Sequence, residues 1–499
     1  MSTAAAGYLI FCVFGAVLLF IAWFLNKRFP LDSVDELVAA GRRVPFGIIS
    51  ASVFTAWVWT GTIMGASEAG IWFGVSGGFN YGWGAIVPFV IFIPVALRLR
   101  KVMPRTTTFI EFIRERFGER LANLFFAFGV ALVLYVCVMQ SVGIAYAFQY
   151  AFGMNYKLVA FVSAVLFAGY IAVAGLRGSI FNSVFQFLVI MLVVFITVPL
   201  LIREIGLENM YNGLLDAQSN PANPNYNPEA LNFFGAAGLR YGFSAVVVAM
   251  GQVLLSQGYY STAASAANSR SLMWAYLVGT ILAWLPIPII FGNVVGGGVF
   301  ALRVTPEELA VSTGAAPYIF SHFLGSYGAA AFVILIFMAG LTTGGNGLAG
   351  VQAMFTIDFY KKYINRQAEE KEQTRFGKRV TLLAGIIIGL CAMLLDGVSL
   401  LKLDIFSGIL FAAPTAALII GLWSPRLHTR AAFASIFLGL AAGLAAYFAI
   451  SDDDINWFVG NMLSLGVPFL LILLSLPFST SRFDFGKLKR YQPEHRVKM

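Results

Sequence analysis

The chain is a succession of apolar blocks separated by short polar stretches. The blocks fall at 7–26, 46–72, 81–100, 122–150, 157–175, 182–204, 238–262, 271–301, 324–358, 379–396, 399–424, 431–450 and 456–478. Each is long enough, at about 20 residues, to cross a hydrocarbon core of about 30 Å as a helix whose backbone polar groups are satisfied internally. Strands of a transmembrane barrel would be shorter and would alternate with period two, and these blocks do neither. The pattern predicts an all-α polytopic membrane protein with about thirteen transmembrane helices. The chain opens MSTAAAGYLI, without a cationic n-region, and Lys27 and Arg28 follow the first block, so that block reads as an uncleaved anchor.

Charge then orients the helices. Only 11% of the 499 residues are charged and 59% are hydrophobic. Alternate sides of the thirteen-helix layout hold 28 and 5 of the 33 lysines and arginines. The richer side comprises 27–45, 98–121, 176–181, 263–270, 359–378 with Arg379 at its edge, 425–430 and the tail from 479. The positive-inside rule makes that side cytoplasmic, with the N-terminus outside, the C-terminus inside and the chain in a plasma or inner cell membrane. The net charge of +9 therefore describes orientation rather than nucleic-acid binding.

Enzyme chemistry finds little footing. Cys12, Cys137 and Cys391 fall within apolar blocks, and His322, His428 and His495 are scattered with no nucleophile or metal-ligand spacing around them. No phosphate-loop motif appears, and the longest polar stretch, 205–237, leaves no room for an ATPase. The expectation is a non-enzyme without cofactors, powered by an ion gradient or by a partner subunit.

The stretch 205–237 is rich in Asn and Pro, lacks an Asn-x-Ser/Thr acceptor, and reads as a turn-rich cap. It separates five crossings from five. The expected organisation is an N-terminal helix and inner loop (1–45), a first five-helix repeat (46–204), the outer loop (205–237), a second repeat (238–424), and two C-terminal helices with a short tail (425–499). A block of five crossings repeated directly inserts its second copy upside down, the inverted-repeat plan of many transporters. That plan predicts a broken helix at the start of each repeat. SASVFTAWVWTGTIMGASEAG carries Thr55, Thr60, Gly61, Thr62 and Gly65, and GQVLLSQGYYSTAAS carries Gly251, Gln252, Ser256, Gln257 and Gly258. Small polar residues also serve ordinary helix packing, so both readings stand.

The stretch AGLTTGGNG, 339–347, poses the same choice. The hydroxyls of Thr342 and Thr343 point about 100° apart on a helix and can embrace an object at its surface. A hard monovalent cation is neutralised by several oxygen dipoles, which hydroxyls and carbonyls freed by an unwound helix would supply. A sodium site and close helix packing both fit.

AGLTTGGNGLAGVQAMFTIDFYKKY resembles the ninth-helix signature of the sodium:solute symporter family, a Ser/Thr pair followed by F-T-x-D-x-Y-K. VPFGIISASVFTAWVWTGTIMGASEAGIWFGVSG resembles the family's broken helix and MPRTTTFIEFIRERFG its inner loop; AGLRGSIFNSVFQFLVIM and YLVGTILAWLPIPIIFG fit as well. The resemblance spans about residues 20–480 and implies a LeuT-type inverted five-plus-five core. Carried over position by position, it implies one Na+ held by the Thr342 and Thr343 side chains and the carbonyls of Ala339, Thr55 and Val58. A second sodium in some relatives uses an Asp where this chain has Ser183, with Gly345 and Asn346 opposite, so one ion is expected.

TAWVWTG with GVSG, plus YLVGTILAWLPIPI, look most like the urea-transporting branch. That likeness implies Trp57 as a stacking wall, with Thr60, Gln252, Gln257 and Tyr259 supplying donors and acceptors. For Trp57 and Trp59 packing or an interfacial belt is the alternative, and for the two glutamines interhelical bonding. Ser256 departs from the acidic residue frequent there. Glu68 reads as a solvated cap or gate near the outer end of its helix, and Asp358 as an interfacial partner of Lys361 and Lys362 or a gate. Asp404 reads as an outer-surface partner of Lys402, and Asp452, Asp453 and Asp454 as a solvated loop. The expected function is sodium-coupled symport of a small polar solute, best guess urea, by a monomer in the bilayer. Symport of a sugar, proline, another amino acid or a carboxylate, or a passive channel, are the alternatives.

Overall fold

The computed structural model describes residues 3–28, 34–309, 311–453, 455–480 and 482–492. All regular elements among them are helical, and one isolated backbone bridge joins Val44 to Ala266. Asp454 and His495 lie outside the described residues.

Nine of the described helices are long and apolar enough to cross a membrane. Two bent pairs add a crossing each: Phe46–Trp57 with Gly61–Phe73, at 59°, and Leu400–Phe411 with Ala413–Trp423, at 49°. Tyr156–Ile205 supplies two crossings, because Gly175 (φ 57°, ψ −154°) breaks its 50 residues. A side chain at such a φ is strained, and a Cβ there would press on Leu37. Glu370–Ala392 completes the thirteen; its charged first turns disguise it by composition alone. The expected loop at 176–181 is instead helical, with Arg177 paired to Glu36 at 3.0 Å. The cap at 205–237 is turn-rich only in its second part, since Leu207–Ser219 is a helix.

Small residues set the closest helix approaches. A Cβ at Gly78 would stand 3.0 Å from the Ile289 carbonyl, and one at Gly350 would stand 2.5 Å from the Gly258 nitrogen. The second contact seats the far arm of one broken helix, Gln257–Ser265, directly on the long helix Ala315–Met354. The glycines of GGNG are packed as closely: a Cβ at Gly344 would abut Phe167, one at Gly345 would overlap the Tyr170 phenol, whose hydroxyl donates to the Leu341 carbonyl at 2.8 Å, and one at Gly347 would stand 3.0 Å from Val133. Tight packing therefore explains those glycines, and the two threonines face elsewhere.

Candidate functional site: a closed chamber between two broken helices

Both expected breaks are present. Phe46–Trp57 ends at Val58 (φ −79°, ψ 81°), and after Thr60 the chain resumes as a wide π-helical turn, Gly61–Gly65. Ala236–Leu254 ends where Leu255 and Ser256 leave the helix, before Gln257–Ser265. An unwound turn strands backbone carbonyls in the membrane, where each must find a partner. The Trp57 carbonyl accepts from Thr62 Oγ1 at 2.8 Å and from Trp284 Nε1 at 2.7 Å. The Ala56 carbonyl accepts from Thr343 Oγ1 at 3.0 Å and from the Tyr259 hydroxyl at 3.3 Å.

Residues nearly 300 positions apart thus meet at one carbonyl: the threonine pair reaches the first break through Thr343. Thr342 is fully buried, its hydroxyl 3.4 Å from Ser183 Oγ. Thr55 spends its hydroxyl on its own helix, donating to Ala51 O at 2.9 Å. The carbonyl that Thr343 meets is Ala56, which lies between the expected Thr55 and Val58. Ala339 is buried one turn before the pair.

Beside Thr343 lies an enclosed cavity of about 30 Å³, with Trp57, Trp59, Gln252, Ser256, Tyr259 and Asn346 in its walls. That is room for about two waters. Trp57 and Trp59 stack with centroids 6.3 Å apart, and Tyr259 stands edge-on to Trp57 at 6.0 Å. Three of the five expected solute residues, Trp57, Gln252 and Tyr259, therefore converge. The other two do not. Thr60 turns to Gln140, its amide donating to Gln140 Oε1 at 3.1 Å. Gln257 ties the inner loop down, donating to Thr107 O at 2.9 Å and accepting from the Phe109 amide at 3.1 Å.

Three carboxylates depart from expectation. Glu68 is fully buried rather than solvated, and accepts from Ser312 at 2.9 Å and also from Thr313 and Ser399. These hydroxyls replace the water that the outer end of a straight helix would have offered; the break draws Glu68 inward. Asp358 pairs with Arg114 of the loop helix Phe109–Phe117 at 3.0 Å, while Lys362 turns to Glu119. Asp404 is buried, and its Oδ1 accepts from Gln252 Nε2 at 2.8 Å. A membrane carboxylate within a predicted span is a functional candidate by default, and that signal was available at Asp404. Asn346 and Ser256 also join the wall.

Rings close the chamber on both sides. Toward loop 205–237, Phe73 stacks on Tyr241 at 5.0 Å and Tyr241 meets Tyr81 at 6.3 Å. Above them opens a vestibule of about 720 Å³ bordered by Trp72, Arg240, Lys402 and Trp457. Toward the basic side, Tyr259 meets Phe92 at 6.3 Å, Phe92 meets Tyr260 at 4.9 Å, and Tyr260 stacks on Phe109 at 5.0 Å. These rings separate the chamber from both ends of the helix bundle.

Comparison with known proteins agrees with this architecture. In overall structure the chain is similar to a Na+-coupled sialic acid symporter in a substrate-bound outward-open state, with a TM-score of 0.72 at 17% identity, covering 95% of this chain and 98% of that one. It is also similar to the nucleobase-cation-symport transporter Mhp1 in a closed conformation, with a TM-score of 0.56 at 14% identity over 93% and 99% of the two chains. These likenesses establish the LeuT-type fold. In sequence it is 27% identical to the probable urea active transporter 1 of Schizosaccharomyces pombe, over 95% of this chain and 76% of that protein. It is 23% identical to the urea active transporter of Saccharomyces cerevisiae, over 97% and 70%. It is 26% identical to a urea-proton symporter of Oryza sativa subsp. japonica, over 90% and 66%. The model of the sodium:solute symporter family matches residues 38–439, and the chain belongs to that family.

Proposed function

We propose that this protein is a sodium-coupled symporter of urea that works by alternating access as a monomer, with its N-terminus outside and C-terminus in the cytoplasm of a plasma or inner membrane. The observation that carries the reading is the Thr343 hydroxyl on the Ala56 carbonyl, beside an enclosed chamber walled by Trp57, Gln252 and Tyr259. One Na+ inserted between hydroxyl and carbonyl would take both as ligands, with the Thr342 hydroxyl and the carbonyls of Thr55, Val58 and Ala339 completing the shell. Ion and solute would then share the wall that Thr343 contributes. Urea is flat, neutral and both donor and acceptor, which suits stacked indoles and an amide. The urea-transporting relatives support the solute assignment, and their names include both active transport and proton symport.

A potential of about 100 mV is worth roughly 2.3 kcal/mol per charge, and a tenfold sodium gradient adds about 1.4. Together they support roughly 500-fold accumulation of a neutral solute per sodium moved. Radiolabelled urea uptake into proteoliposomes tests the reading. Accumulation above equilibrium under an inward sodium gradient is expected; uptake that stops at equilibrium, with or without sodium, refutes coupling.

A further inference from the structure

Asp404 stands in a setting that sodium coupling at Thr343 does not use. It lies on Leu400–Phe411, one arm of a bent crossing, and is 7% exposed. Among the described residues no lysine or arginine nitrogen comes within 4.0 Å of it. Lys402 instead reaches out over the Trp72 ring, at 6.0 Å. An ionised carboxylate in a membrane interior with no cationic partner costs several kcal/mol, and such residues mark ion or proton pathways.

The other groups facing it bring no compensating charge. Glu68 on the broken helix is a second carboxylate. Tyr81 on Val75–Val102, Tyr241 on Ala236–Leu254 and Tyr135 on Glu119–Phe152 are phenols, Tyr447 on Thr429–Ala449 meets Phe406 instead, and Arg240 borders the vestibule with Lys402. The adjacent Asn456–Ser475 carries no ionisable side chain. Glu68 differs from Asp404 in having three hydroxyls that donate to it. Asp404 has one amide donor, Gln252 Nε2.

A small second chamber of about 10 Å³ adjoins this carboxylate, bounded by Trp57, Trp59, Tyr81, Tyr241 and Gln252. Its polar lining is donor-rich, and the Tyr241 hydroxyl and Trp57 Nε1 are buried without a hydrogen-bond partner. A chamber of that size leaves little room for a metal ion among the several oxygens it would need turned toward it. A proton needs no such shell and no added room. Gln252 walls both this chamber and the solute cavity beside Thr343.

We infer that Asp404 is a proton-binding site that reports to the solute pocket through the Gln252 amide. With Asp404 ionised, Gln252 Nε2 is held by the carboxylate and by Ser407 Oγ, at 2.8 and 3.1 Å. A proton arriving from water on one side forms an O–H bond at Asp404 and cancels its charge. The new donor requires an acceptor, and the Gln252 amide supplies one by turning over, Oε1 toward Asp404 and Nε2 toward the solute. Release of the proton to the opposite side reverses the turn. The solute pocket thus offers a donor in one state and an acceptor in the other. This builds on the solute chamber of the proposed function and adds a proton to its sodium.

Purified wild type, Asp404→Asn and Gln252→Leu, each checked for monodispersity, decide it. In pH-difference infrared spectra wild type and Gln252→Leu are expected to share one protonated-carboxyl carbonyl band that is missing from Asp404→Asn, whatever bands Glu68 and Asp358 contribute to all three. At fixed sodium, acidification is expected to change the urea affinity of wild type by about tenfold, the order set by one hydrogen bond gained or lost, and to leave both variants flat. A carboxyl spectrum in Asp404→Asn that has lost no band relative to wild type overturns the site. Wild-type urea affinity indifferent to pH overturns the link through Gln252. Protein that binds no urea at any pH but loses the band in Asp404→Asn retains the proton site and rejects urea as the solute.

Discussion

Replacing Thr343 with valine removes one hydroxyl and keeps the shape of the side chain. In the structure that hydroxyl donates to the Ala56 carbonyl at 3.0 Å, and the carbonyl keeps a single other donor, Tyr259, at 3.3 Å. Without sodium, the change forfeits one buried hydrogen bond, about 0.5–1.5 kcal/mol net, too little to unfold a helix packed this closely. With sodium, a ligand is lost in a site that has few. An oxygen withheld from a buried charged partner costs about 1–3 kcal/mol, or roughly 5- to 150-fold in sodium affinity. The assay is urea uptake titrated with sodium at saturating urea, at matched protein levels. Half-activation should shift to higher sodium by that factor, and the Thr342→Ala, Thr343→Ala double variant should shift by an order of magnitude or more. A half-activating concentration equal to wild type in Thr343→Val would show that the hydroxyl serves helix packing alone, and would remove the basis for placing an ion there.

Further predictions concern the walls and the inner end. Trp57→Leu should raise the KM for urea by about tenfold while sodium activation persists, since stacking on an aromatic face is worth about 0.5–1.5 kcal/mol beyond buried area; an unchanged KM would take Trp57 out of the pocket. Arg114→Met leaves the buried Asp358 carboxylate without its 3.0 Å partner, and thermal unfolding should register a loss of about 3–5 kcal/mol that Asp358→Asn in the same chain largely restores. Should the single and double variants melt alike, the pair is not what holds that end together. Gln257→Leu should lower stability and leave urea affinity unaltered, because its amide is spent on Thr107 and Phe109; a selective change in KM would return it to the solute site.

What could be read from the sequence follows the range of the interactions involved. Apolar blocks are local, so the thirteen crossings were legible, as were the breaks, where Thr, Gly and Gln interrupt the blocks at matching places in the two halves. The family signature singled out the threonine pair. Register at an unwound turn was not legible: Ala56, flanked by the two expected carbonyls, is the one that meets Thr343, because helical spacing ceases to apply where the helix stops. That Thr60 and Gln257 bond to Gln140 and Thr107, 80 and 150 residues away, was not legible either, because those contacts are long-range. Asp404 looked superficial for a related reason, since its depth depends on the bend between Leu400–Phe411 and Ala413–Trp423 rather than on its distance from the end of the block.

The two coverings of the chamber are unequal in thickness. On the vestibule side a single tier of rings, Phe73, Tyr241 and Tyr81, separates the chamber from open space. On the other side the tiers of Tyr259, Phe92, Tyr260 and Phe109 are backed by an entire loop helix that Gln257 fastens in place. Opening the chamber toward the vestibule therefore asks for a few side-chain rotations, whereas opening it toward the basic side asks a loop helix to part from its neighbours. The asymmetry leaves fewer groups to displace between the chamber and the vestibule than around Phe109.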